Sequence, residues 1–167
     1  MKMVRLITTI LLIVGAADML SSCQTSHKAM RKLYRQVKRD QTMAHVHWKG
    51  DSIRVVYPEL AMFDFGKDEI KQDAKPPLKR FANILNQYQW VNFVINGYTD
   101  NIGPNDVNQS LSERRATNAK SLLQTDGIDQ GRMSTNGFGS ANPIMTNNTD
   151  EGRQANRRVE FLLYKKP

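Results

Sequence analysis

The chain has 167 residues, enough for one ordinary domain with an N-terminal arm but not for two large cores. A formal net charge of +8 would suit a nucleic-acid partner if the cations were interleaved with stacking aromatics on a folded surface. Instead Lys28, Arg31, Lys32, Arg35, Lys38, Arg39 and Lys49 crowd residues 24–50 against Asp40 alone, while residues 51–167 are close to neutral, so a nucleic-acid reader is not expected.

The N-terminus places Lys2 and Arg5 before the apolar run 6–17, which Asp18 interrupts. A membrane-spanning helix needs about 20 apolar residues, so residues 1–22 are expected to be a signal peptide rather than a span. Leu20-Ser21-Ser22-Cys23 resembles the lipobox of bacterial lipoproteins, and Cys23 is the sole cysteine, which excludes an intrachain disulfide. That resemblance implies lipidation of Cys23. With Gln24 rather than Asp next to it, it also implies an outer-membrane anchor and a periplasmic domain. Residues 23–50 are then expected to be a lipidated cysteine and basic spacer, and 51–167 the domain. Within the spacer, Met30, Leu33, Tyr34 and Val37 recur at helical spacing, which predicts a short amphipathic helix that docks on the domain or lies on a membrane. His45 and His47 would share one face of a strand, but two ligands are too few for a metal site, and none is expected.

Ser52–Tyr57 and Leu60–Phe65 have strand composition, separated by Pro58. Asp73-Ala74-Lys75-Pro76-Pro77 opens a helix whose residues Leu78, Phe81, Ala82, Leu85 and Tyr88 form a buried stripe. A strand over Val91–Ile95 and then Gly97 lead into a turn-rich loop, Asp100–Asp106. Ser110-Leu111-Ser112-Glu113 fits a capping box and predicts a helix start there, with Arg114 and Arg115 in the first turn. Cations in a first turn face the positive end of the macrodipole at a cost of about 0.3–1 kcal/mol each, so a counter-anion is expected, either a structural carboxylate or a ligand. Ala116, Ala119, Leu122 and Leu123 would face inward, and Gly127 with Ile128 would close the helix. A short strand at Met133–Gly137, a capped helix over Thr149–Asn156 and a last strand with Val159, Phe161 and Leu163 inward complete the order. This alternation predicts an α/β fold, with two main helices on one face of a four-stranded mixed sheet.

Thr99-Asp100 with Gly103, then Asn108-x-x-Leu111-Ser112-x-x-Arg115-Ala116, then Asn156-Arg157-Arg158-Val159-Glu160 resemble, in order and spacing, the signature of OmpA-like peptidoglycan-binding domains over Met62 to Leu163. The resemblance implies a βαβαβ(α)β fold and non-covalent binding of the wall through diaminopimelate. Asp100 and Arg115 would grip that residue's charged ends. Thr99, Asn108, Leu111 and Ser112 complete the implied site, and Phe63 and Asp64 approach from the opposite loop. Tyr98 departs from the His that often precedes the Thr-Asp pair. The implied role is to tether the outer membrane to peptidoglycan. The alternative is a stator-like or secretion-machine component with an envelope protein partner. No enzyme, cofactor or metal is expected, because Cys23 is assigned to lipid, the three histidines precede the expected domain and no close carboxylate pair stands in the motif. Cys23→Ser is expected to leave a precursor that no longer fractionates with outer membranes; unchanged fractionation would sink the lipoprotein reading.

Overall fold

Residues 27–166 are described in a computed structural model, so the expected signal peptide, residues 1–22, and the expected lipidation site Cys23 lie outside the described residues. Helix α1 covers 27–40 and buries Met30, Leu33 and Val37, the stripe expected from their spacing. It docks on the domain: Gln41, just past it, donates to the Pro77 carbonyl at 3.3 Å and accepts from the Tyr57 hydroxyl, while Tyr88 Oη donates to Gln36 at 3.0 Å. The residues expected as spacer therefore share the main core, with Tyr34 and Trp48 packed edge to face beside them.

Strand β1 (His45–Lys49) turns through Gly50, whose φ of +57° suits glycine, into β2 (Ser52–Pro58). The sheet has five strands in the order β1-β2-β5-β3-β4, one more than the four expected. The extra strand is β1. It was hidden because its outward positions carry His45, His47 and Lys49, and only Val46 is buried between them. His45 and His47 do share one exposed face, and they lie within the fold rather than upstream of it. Of the two runs of strand composition, Ser52–Tyr57 enters the sheet and the run 60–65 does not. Helix α2 (Glu59–Met62) occupies its first part, and Phe63 makes only an isolated bridge to Ile70.

A 3-10 turn (Gln72–Ala74) leads into α3 (Lys75–Asn86), with proline in its first turn and Leu78, Phe81, Ala82 and Leu85 buried. Phe81, Tyr57 and Phe161 meet edge to face at 5.4–6.4 Å between centroids, tying this helix to β2 and β5. Strand β3 (Val91–Tyr98) alternates buried and half-buried residues, and α4 (Asn105–Thr125) crosses back over the sheet. At its end, Ile128 N–H donates to Leu123 and Gly127 N–H to Gln124 in a Schellman closure, with φ of +91° at Gly127. A 3-10 turn (Gln130–Arg132) precedes β4 (Met133–Gly137), which pairs parallel to β3. Thr149 caps α5 (Asp150–Asn156) by accepting from Gly152 N–H at 3.1 Å. Strand β5 (Arg158–Lys165) then inserts antiparallel between β2 and β3. Because Leu33 is fully buried in the shared core, Leu33→Ala is expected to cost about 2–5 kcal/mol in urea unfolding, where a free spacer would show no change.

Candidate functional site

Two glycines let α4 lie almost on the sheet. A Cβ on Gly97 would sit 2.1 Å from the Ser112 carbonyl oxygen, and one on Gly137 would sit 2.3 Å from Glu113 Cγ. In that close contact Ser112 Oγ donates to the Gln109 carbonyl at 2.8 Å and accepts from Gly139 N–H at 2.9 Å. The Gly139 carbonyl in turn accepts from Thr99 N–H at 2.8 Å. Thr99 is thereby fixed just beyond the end of β3, and Asp100 follows it. Asp100 Oδ1 accepts from Ile102 N–H at 3.0 Å, and Asn108 Nδ2 holds the Ile102 carbonyl at 3.0 Å. Thr99, Asn108 and Ser112 are buried and shape the loop. Leu111 is half-buried beside them.

Helix α4 begins at Asn105, upstream of the start expected at the capping box of residues 110–113, and its N-cap Pro104 has no side-chain cap. Pro104 and the Asn-Asp pair that read as turn vocabulary serve equally as a helix start. Arg114 and Arg115 therefore lie in the helix interior, and the macrodipole no longer explains their need for an anion. They find carboxylates all the same. Arg114 bonds Asp68 and Ser110 near the surface, and that bond holds the Asp68 carboxyl below its ordinary range. Arg115, 1% exposed, pairs with Glu59, itself 3% exposed, and donates Nε–H to the Lys67 carbonyl at 2.8 Å. The Phe63 ring lies 5.1 Å from its guanidinium carbon.

Glu59 has a second cation. Arg157 Nε donates to Glu59 Oε2 at 2.7 Å, and Arg157 Nη1 donates to Asp100 Oδ2. The result is one alternating row, Arg115, Glu59, Arg157, Asp100, neutral in sum, which runs from the core to the loop. Burial alone would lower the Arg157 guanidinium, but its bonds to Asp100 and Glu59 outweigh burial and raise it. Asp100 is 7% exposed, and Arg157 is half-buried next to it. Phe65, 74% exposed, stands 5.5 Å from the Arg157 guanidinium, and Ile102, whose N–H Asp100 holds, is also exposed. Asp64 is exposed on the Phe65 loop.

The structure thus brings Asp100 and Arg115 into one network, but through Glu59 and Arg157, to which the sequence reading gave no role. Arg157 stood inside the quoted Asn-Arg-Arg motif, yet nothing in that motif says which arginine faces Asp100. Its neighbour Arg158 turns elsewhere, stacked 3.7 Å from the Tyr98 ring centroid and bonded to Glu160 at 2.7 Å. Tyr98 also stacks on Phe138 at 5.2 Å, a packing role for the residue that departs from the family pattern. Among the described residues no group of three or more potential ligands could hold a metal. Glu59→Ala would leave two guanidiniums facing each other without their shared anion; it is expected to destabilise the protein by about 3–5 kcal/mol in urea unfolding, with Glu59→Gln losing less.

Comparison with known proteins agrees with this fold. The OmpA family profile matches residues 62–157, more than half of the chain. The chain is 40% identical to "Probable lipoprotein YiaD" of Escherichia coli K12, over 68% of this chain and 52% of that protein. It is 42% identical to "Peptidoglycan-binding protein ArfA" of Mycobacterium bovis, over 52% of this chain and 26% of that one. The chain therefore spans about half the length of the first of these relatives and about a quarter of the second. The structure of the cell wall anchor of the T6SS from Pseudomonas aeruginosa superposes with a TM-score of 0.71 at 27% identity, covering 80% of this chain and 97% of that one. With the matched segment running from Met62, the last residue of α2, to Arg157, just before β5, and holding the whole of the charged row but Glu59, the chain belongs to the OmpA family.

Proposed function

We propose that this protein binds peptidoglycan non-covalently through the diaminopimelate of its peptide stem and, lipidated at Cys23, tethers the outer membrane to the wall. The observation that carries the proposal is the alternating row of charges whose outer contact, Asp100 with Arg157, stands beside the exposed Phe65 and Ile102. A diaminopimelate side chain ends in an ammonium and a carboxylate on one carbon. Such a zwitterion can take over the Asp100–Arg157 contact without changing the net charge of the site: the ammonium donates to Asp100, and the carboxylate accepts from guanidinium. Arg157 offers the outer fork and Arg115 the inner one. To reach Arg115 the ligand displaces the loop whose Lys67 carbonyl that residue holds. A guanidinium presents two parallel donors to a carboxylate, which lysine cannot reproduce. Thr99, Asn108, Leu111, Ser112 and Phe63 hold this geometry, and Asp64 lies on the loop that moves. The binding requires no bond-breaking chemistry. The similarity to a protein named for peptidoglycan binding supports the reading.

The likeness to a secretion-system wall anchor favours a second reading, in which the same grip holds a larger envelope machine through a further protein partner. Crosslinking in intact cells separates the two, since a machine component yields a stoichiometric protein adduct and a simple tether does not.

Each charged hydrogen bond contributes about 1.5–3 kcal/mol, so Asp100→Ala, and Arg115→Lys with its charge kept but its fork lost, are each expected to weaken retention on purified sacculi roughly ten- to a hundredfold. Arg114→Ala, whose partner is Asp68, should leave retention unchanged. Walls with lysine in place of diaminopimelate lack the second carboxylate and should bind poorly. Folded variants, checked by circular dichroism, that still bind would overturn the site.

A further inference from the structure

The strand registers place the candidate site at one pole of the sheet and a different surface at the other. At the site pole, Arg158 faces both Pro58 and Tyr98, and Gly97 faces Gly137. At the far pole, Lys49 faces Ser52, Val91 faces Lys165, and Lys166 N–H donates to the Trp90 carbonyl at 3.0 Å. Helix α1 begins at this far pole, where the His27 ring meets Trp48 at 5.6 Å, and it runs toward the site pole, where Gln41 reaches Pro77. Its outward face is cationic because the inward face took the apolar residues. Lys28, Arg31, Lys32, Lys49, Lys165 and Lys166 are all exposed. The acids at this pole are Asp51 in the β1–β2 turn, Asp126 at the C-cap of α4, and Asp129, which caps Gly131. The last two stand on the β4 side, away from α1. Trp48 and Trp90 lie half-buried at the same pole, amphipathic rings suited to a headgroup layer.

We propose that this pole is a docking surface for the anionic phospholipid headgroups of a bilayer. Charge complementarity argues for that occupant, and so does connectivity: the residues that carry the apolar run and Cys23 join the fold here, at the start of α1. The second point rests on the lipoprotein reading above, and a lipid on Cys23 would bring the headgroups within a few residues of Lys28 and Lys32. The domain would then sit upright on its membrane, with Asp100 and Arg157 turned away from the lipid. Juxtamembrane cations of this kind are screened by salt, whereas a lipid chain is not.

The test is flotation of the full chain carrying Cys23→Ser with vesicles of phosphatidylcholine alone or with about 30 mol% phosphatidylglycerol. Insertion of the apolar run contributes to both compositions, so the readout is their ratio. At low salt the anionic vesicles should bind at least about tenfold more protein, and the ratio should fall toward one in about 0.5 M NaCl. Lys28→Glu with Lys32→Glu should abolish the preference. Lys165→Glu with Lys166→Glu, on another element, should reduce it independently of any effect on α1. Asp100→Ala should leave the ratio unchanged while lowering retention on sacculi, so failure of the wall site and failure of this surface are told apart. Equal binding to both vesicles, or an undiminished preference in both reversed pairs, would overturn the proposal. Retention of Asp100→Ala protein on sacculi that disappears with the Lys28 and Lys32 reversals would assign the surface to a wall polymer and overturn it as well.

Discussion

Glu59 between two arginines is the interaction on which the rest of the site depends. A carboxylate 3% exposed cannot persist as an anion without partners, because desolvation in the interior costs several kcal/mol per ion. Arg115 and Arg157 supply those partners from α4 and from the loop before β5, and each guanidinium is then obliged to stay where Glu59 holds it. A single residue at the start of α2, just past β2, thus positions two cations that arrive from different elements. The row ends at Asp100, whose placement depends on a different device: the close seat of α4 on β3 and β4. Two glycines and one serine hydroxyl make that seat possible, so small residues set the frame and the charged ones fill it.

A row of alternating charges with no net charge can exchange partners at its end with little change in field. Removing an inner member strands its neighbours, whereas replacing the outermost contact by a zwitterion of the same polarity strands none. The same chemistry that stabilises the domain therefore suits it to a ligand with both signs on one carbon. The Arg158–Glu160–Arg54 group has no such opening: Arg158 is packed onto Tyr98 and tied to the carbonyls of Asn142 and Asn156.

Much of the fold was legible in the sequence wherever one periodicity dominated. Leu78, Phe81, Ala82 and Leu85 mark α3, and Val159, Phe161 and Leu163 mark β5, because burial on one face leaves a clean repeat. Strand β1 was not legible, since its outward residues are basic and merged with the cations of α1. The start of α4 was misplaced because Pro104, Asn105 and Asp106 belong to turns and to helix N-termini alike. Asp100 and Arg115 could be named from motif spacing, but Glu59 and Arg157 stand 98 positions apart, and no local pattern announces that they meet. Contacts of that range are set by topology, which one-dimensional spacing does not encode.

The position of β5 has a consequence for how the protein is made. Of the five strands of this sheet the one synthesised last joins its two halves, pairing with β2 on one edge and β3 on the other. Until Arg158–Lys165 is available, the β1–β2 hairpin and the β3–β4 pair have no ladder between them, and Glu59 lacks Arg157. A nascent chain cannot close this sheet before β5 is made. The cost is two open strand edges exposed over that interval, each a template for pairing with another chain.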